Sequence, residues 1–160
     1  MNDKTPAQMI PAPNALRLKV GGKFGGIDPS AIAKAEAALK SLSANFTEWL
    51  NDELNKLEAS RTRIKAEGLT PETAENLYLR AHDLKGLGAT YEFPIITRMA
   101  ASLCKLIDDP AKRTAAPLFL IDAHIDSIRA SVRDNICDDT NPIGRGLAEE
   151  LEAQVKAFQG

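Results

Sequence analysis

The chain has little that would tie it to nucleic acid, to a membrane or to a structural metal. Lysine and arginine number 20 against 22 aspartates and glutamates, giving a formal net charge of -2 and an isoelectric point of about 5.7. A basic patch is the usual footprint of a nucleic-acid protein, and this balance gives no reason to expect one. No apolar run approaches the roughly 18 residues that suggest a membrane span. The opening Met1-Asn2-Asp3-Lys4 lacks the charged-then-apolar order of a secretory leader, so a cytoplasmic protein without membrane contact is expected. Cys104 and Cys137 are the only cysteines, too few and too isolated for a disulfide framework or a zinc knuckle. They are expected as reduced thiols, with Cys104 in the core. Aromatic residues make up only 5%, and the abundance of alanine and leucine favours helix over sheet.

What is present suffices for one core: 160 residues, 44% of them hydrophobic. Residues 1–27 carry Pro6, Pro11, Pro13 and then Gly21, Gly22, Gly25 and Gly26, so a flexible tail is expected, with Leu16 to Val20 able to lie extended. The run Gly21-Gly22-Lys23-Phe24-Gly25-Gly26 does not match the phosphate-loop pattern. Asp28-Pro29-Ser30 starts a long helix that Gly68 ends, with a bend near Ser41 to Ser43. Leu39, Leu42, Phe46, Trp49, Leu50, Leu57 and Ile64 recur along it at helical spacing, and Trp49 reads as core or as the edge of a partner groove. Thr70-Pro71 opens a second helix over about 71–90, and Pro94 a third over about 94–109. A fourth is expected over about 115–136 and a last one over about 144–158. The expected fold is all-α. It comprises an antiparallel up-and-down four-helix bundle over residues 28–160 with an additional C-terminal helix, preceded by the tail.

The second helix carries the chemistry. Leu77, Ala81, Leu84 and Gly88 follow the four-three-four spacing of a buried face. His82 therefore projects beside that face toward solvent, with Lys85 one turn on. Gly86 and Gly88 each cost a helix roughly 0.5–1 kcal/mol relative to alanine, so a reason is needed, and room for another molecule is the simplest. Imidazole is a nucleophile near neutral pH and can hold a covalent intermediate. Lysine adds a mobile positive charge suited to balancing a phosphoryl group.

The run Ala81-His82-Asp83-Leu84-Lys85-Gly86 resembles the signature of histidine-containing phosphotransfer (HPt) domains of bacterial two-component phosphorelays. Members often carry small residues at the two positions after the glycine, whereas here Leu87 precedes Gly88. The resemblance implies that His82 is the phosphoacceptor, taking a phosphoryl group from an aspartate of one receiver domain and passing it to another. Lys85 would steady the phosphate and Gly86 would clear space for the receiver. The expected partner surface is Tyr78, Leu79, Gly86, Leu87, Gly88 and Ala89. Expected partners are response-regulator receiver domains and a hybrid histidine kinase, with the chain itself a monomer. No cofactor is implied, since magnesium would sit on the receiver, and no ATP-binding segment is recognisable. The chain would thus be a carrier whose phosphotransferase activity exists only with a receiver.

Two other readings remain open. A helical interaction module would bind a signalling protein through the same surface and never carry phosphate. A metal protein would use His82 with Asp83, or His124 with Asp122 and Asp126, but adjacent residues diverge on a helix and one helix alone supplies too few ligands. His124 lacks the lysine and the glycines and reads as structural, at the edge of its helix's apolar face.

Overall fold

Three of the five α-helices among the described residues start on a side-chain cap followed by proline. Asp28 accepts from the Ser30 amide at 3.1 Å and from its hydroxyl at 2.6 Å, and α1 runs Pro29–Glu67. Thr70 and Thr73 form a reciprocal capping box, each side chain accepting from the other's amide, at 3.1 and 2.8 Å, and α2 runs Pro71–Thr90. Asn141 accepts from the amides of Ile143 and Gly144 at 2.9 and 3.2 Å, so α5 begins at Pro142 rather than 144 and runs to Gln159. Between them lie α3 (Pro94–Leu106), a short 3-10 helix (Arg113–Ala115) and α4 (Leu118–Arg133). This computed structural model describes residues 28–160, and the expected tail, with its extended piece and glycine run, lies outside them. Among the described residues every regular element is helical, and no helix is long and apolar enough to cross a membrane.

The helix ends depart further from expectation. α3 stops at Leu106, because the next amide, of Ile107, tightens back onto Cys104 O at 3.1 Å. Asp109 O then accepts from the amides of Lys112 and Arg113, both at 2.9 Å, in a turn. α4 is shorter at both ends than 115–136. The extended backbone of Pro117 delays its start, and Asn135 closes it in the left-handed region at φ 55°, with the Ile136 amide bonded to Ser131 O at 2.8 Å. α2 ends the same way, with Glu92 at φ 57° and the Phe93 amide on Gly88 O at 2.8 Å. Gly68, at φ 88°, ends α1 as expected.

Packing divides the chain into two compact units, with the boundary between Glu48 and Trp49, inside α1. In the first, residues 29–48 of α1 are exposed or half-buried, and Leu42 is half exposed. Burial along the expected stripe begins at Leu50 and continues through Leu57 and Ile64. The second unit holds the core, in which Leu57, Leu77, Leu84, Ile96, Leu103, Ile121 and Ile125 are sealed from solvent. Each such side chain contributes on the order of 1.5–3 kcal/mol.

Within that unit α3 packs on α2, α4 and α5, and the 3-10 helix packs on α2. The C-terminal half of α1 is tied on by polar side chains. Ser60 bonds Asn76, and Arg63 pairs with Glu72. Arg61 reaches Glu58 at 2.8 Å, Asp126 at 2.8 Å and Asp122 at 3.4 Å, and Arg129 of α4 also pairs with Glu58. These guanidinium bonds, Arg61 foremost, hold the Glu58 carboxyl at about 2.

Candidate functional site

The core face of α2 decides where His82 points. Ala74, Leu77, Ala81, Leu84 and Gly88 are all buried, and the residue after Ala81 is turned about 100° from it. His82 is accordingly exposed. Tyr78, Lys85 and Ala89, at three and four positions' distance or seven, share its flank; Ala89 is exposed, and Tyr78 and Lys85 are half-buried. Leu79 and Gly86 stand on the outward face, Leu79 being half exposed, and a Cβ on Gly86 would meet nothing within 4 Å.

Two expected members lie elsewhere. Leu87 is rotated to the other flank, where it lines a groove with Asp83 and Thr90 of α2 and Trp49, Asp52, Glu53 and Lys56 of α1. Trp49 is half exposed at the rim of that groove, its ring 5.7 Å from that of Tyr91. Gly88 is buried, and a Cβ there would stand 2.6 Å from Thr97 Oγ1 and 3.0 Å from Thr97 N. Its missing side chain makes room for the close approach of α3, where the Thr97 hydroxyl donates to Lys85 O at 3.3 Å. Gly88 therefore serves the helix crossing rather than an incoming molecule.

The His82 ring is not left alone on its turn. Tyr78 stacks beside it, with centroids 6.2 Å apart and planes inclined by 29°. The guanidinium carbon of Arg113 lies 5.2 Å from the Tyr78 ring centre on a cation–π contact. Arg113 is buried, its Nη2 donating to Asp108 O at 3.2 Å, with Glu75 at 3.9 Å from Nη1. Sequence reading missed Arg113 because no local pattern marks a residue in the α3–α4 connection as a neighbour of α2. Among the described residues no carboxylate stands within ion-pair distance of the Lys85 ammonium. Burial pushes the Cys104 thiol up, and the positive charge of Lys85 opposes that shift.

The second histidine is a different object. His124 is fully buried. Its Nδ1 lies 2.7 Å from Leu120 O and its Nε2 2.9 Å from Ser102 Oγ. A carbonyl only accepts, so Nδ1 carries the proton and Nε2 accepts from the serine hydroxyl. Burial lowers its pKa, which keeps the ring neutral. The ring lies in the core rather than at the edge of the apolar face, and Asp122 and Asp126 turn instead to Arg61. Among the described residues no group of three or more histidine, cysteine, aspartate or glutamate side chains is placed to hold a metal ion. Cys104 is buried and Cys137 partly so, both as free thiols.

Chemically, the His82 turn offers a nucleophilic nitrogen at an accessible helix surface, a cation one turn away and bare backbone beside it. That suits attack on an electrophile that can reach the open helix surface. Compared with known proteins, the chain matches no family model, no curated protein and no solved structure.

Proposed function

We propose that this chain is a histidine phosphotransfer protein, with His82 as the phosphoacceptor and Lys85 as the charge that steadies the phosphoryl group. The observation that supports this reading most is the exposure of His82 one turn from Lys85, beside the open backbone at Gly86. The proposed architecture is an antiparallel four-helix bundle carrying an extra helix. The proposed partners are receiver domains, among them that of a hybrid histidine kinase, meeting a cytoplasmic monomer.

In the proposed step, a ring nitrogen of neutral His82 attacks the phosphorus of an aspartyl phosphate through its in-plane lone pair. The N–P bond forms as the acyl O–P bond breaks, and the receiver's carboxylate leaves with the electron pair. Transfer to the next receiver reverses these roles. Such transfer is largely positioning and charge stabilisation, so the helix has only to present the nucleophile and a cation. The receiver would bring the magnesium.

Incubation with phosphorylated receiver domains tests this directly: the wild type takes up label, His82→Gln does not, and Lys85→Ala takes it up about tenfold more slowly with unchanged helical circular dichroism. Label on His82→Gln moves the acceptor elsewhere. Receiver binding that survives His82→Gln, with no label on the wild type, selects the interaction module instead.

A further inference from the structure

Resting on the phosphotransfer reading, we propose that Tyr78, clamped by Arg113, is a positioning residue that holds the His82 imidazole in one presentation. A histidine on an exposed helical turn ordinarily samples more than one χ1 well, and its side chain leans back over the residue four positions earlier. Here that residue is Tyr78, whose ring lies 6.2 Å from the imidazole at an inclination of 29°. That is within the range of offset-stacked aromatic pairs. One face of the imidazole is thus backed by the phenol ring. The lone pair that attacks lies in the imidazole plane, at the ring's edge, so stacking orients the nucleophile without covering it.

A shelf of this kind works only if it is itself fixed, and Arg113 supplies that. Its guanidinium lies over the Tyr78 ring at 5.2 Å. It is anchored through Nη2 to Asp108 O at 3.2 Å and through its own amide to Asp109 O at 2.9 Å. The side chain is 8% exposed, and its Nε has no hydrogen-bond partner. Burying a guanidinium with an unsatisfied N–H is costly, and the cation–π contact with Tyr78 offsets part of that cost. The 3-10 helix thereby fixes the His82 imidazole on α2 through one intervening ring, that of Tyr78.

The test uses the full chain and the variants Tyr78→Leu, Tyr78→Phe and Arg113→Met, with helicity checked by circular dichroism. NMR of the ring protons, assigned against His82→Gln, reads the stack itself. A ring-current shift of the His82 protons is expected in the wild type and in Tyr78→Phe, and its loss in Tyr78→Leu. Transfer from a phosphorylated receiver is expected to slow about tenfold in Tyr78→Leu, to stay within about twofold in Tyr78→Phe and to fall between in Arg113→Met. His82 shifts that are the same in the wild type and Tyr78→Leu overturn the shelf whether or not phosphate is transferred. A shelf seen by NMR with equal transfer rates in the wild type and Tyr78→Leu overturns the positioning role alone. A wild type that takes no label overturns the phosphotransfer reading and the positioning role with it, and the spectra then describe packing only.

Discussion

His82 on α2 and His124 on α4 share a residue type and a helical setting, yet the two turns treat the ring in opposite ways. At His124 both nitrogens are spoken for, by Leu120 O and Ser102 Oγ, and the core closes over the ring. At His82 the ring leans on Tyr78 but stands in solvent. The two glycines of α2 repeat the contrast, Gly88 wedged under Thr97 and Gly86 facing open space. A nucleophile offered to another molecule needs the second arrangement, while a buried hydrogen-bonding ring contributes to stability only in the first.

The largest expected effect is on the buried side. His124→Ala removes a packed ring and strands the Ser102 hydroxyl, so urea unfolding should show a loss of about 2–4 kcal/mol. His82→Gln should change stability by less than about 0.5 kcal/mol; similar losses for both would erase the distinction.

Next, Gly88→Ala should destabilise by about 1–3 kcal/mol, because the new methyl collides with Thr97. Gly86→Ala should instead stabilise by roughly 0.5–1 kcal/mol through helix propensity while slowing the proposed phosphotransfer. A Gly86→Ala protein that is more stable and equally fast would remove Gly86 from the proposed partner surface.

The smallest effect is in pH. The His124 pKa is lowered in the folded state by burial, so the unfolded chain takes up the proton first. The contribution of His124 is therefore complete above about 6.5 and declines as pH falls toward the folded value, by at most about 1.4 kcal/mol per pH unit. Glu58, held at about 2, acts in a separate window, its contribution being lost from about 4.5 downward. Unfolding free energies measured between pH 7.5 and 5 should slope in the wild type and flatten in His124→Leu; a flat wild-type profile would mean that the ring is accessible.

Two helix starts were legible in the sequence because cap and proline are local: Asp28-Pro29 and Thr70-Pro71 are written in adjacent letters, whereas Asn141-Pro142, the same device, sits in a run of turn formers that reads as a break, which sets the last helix two residues late. Ends were less so. Glutamate carries no left-handed signal, yet Glu92 closes α2 in that region, because the turn to α3 demands it. The stripe from Leu39 to Trp49 has helical spacing without burial at Leu42 or Trp49, since periodicity says which side is apolar and not whether anything covers it. At the candidate site, the exposure of His82 followed from the phase of Leu77, Ala81 and Leu84, and the same 100° arithmetic would have turned Leu87 away. The same phase put Gly88 on the buried face, but its close approach to Thr97 and the reach of Arg113 to Tyr78 were beyond it, because each of those contacts joins two different elements.

The tightness of the Gly88–Thr97 contact also bears on how such a chain would drift over generations. Variation at position 88 is vetoed by the molecule's own interior whatever it binds, whereas at position 86, which faces open space, the fold raises no objection and only the proposed docking partner would. Among descendants of this sequence, a lineage without the proposed partner would be free to fill 86 while still leaving 88 bare.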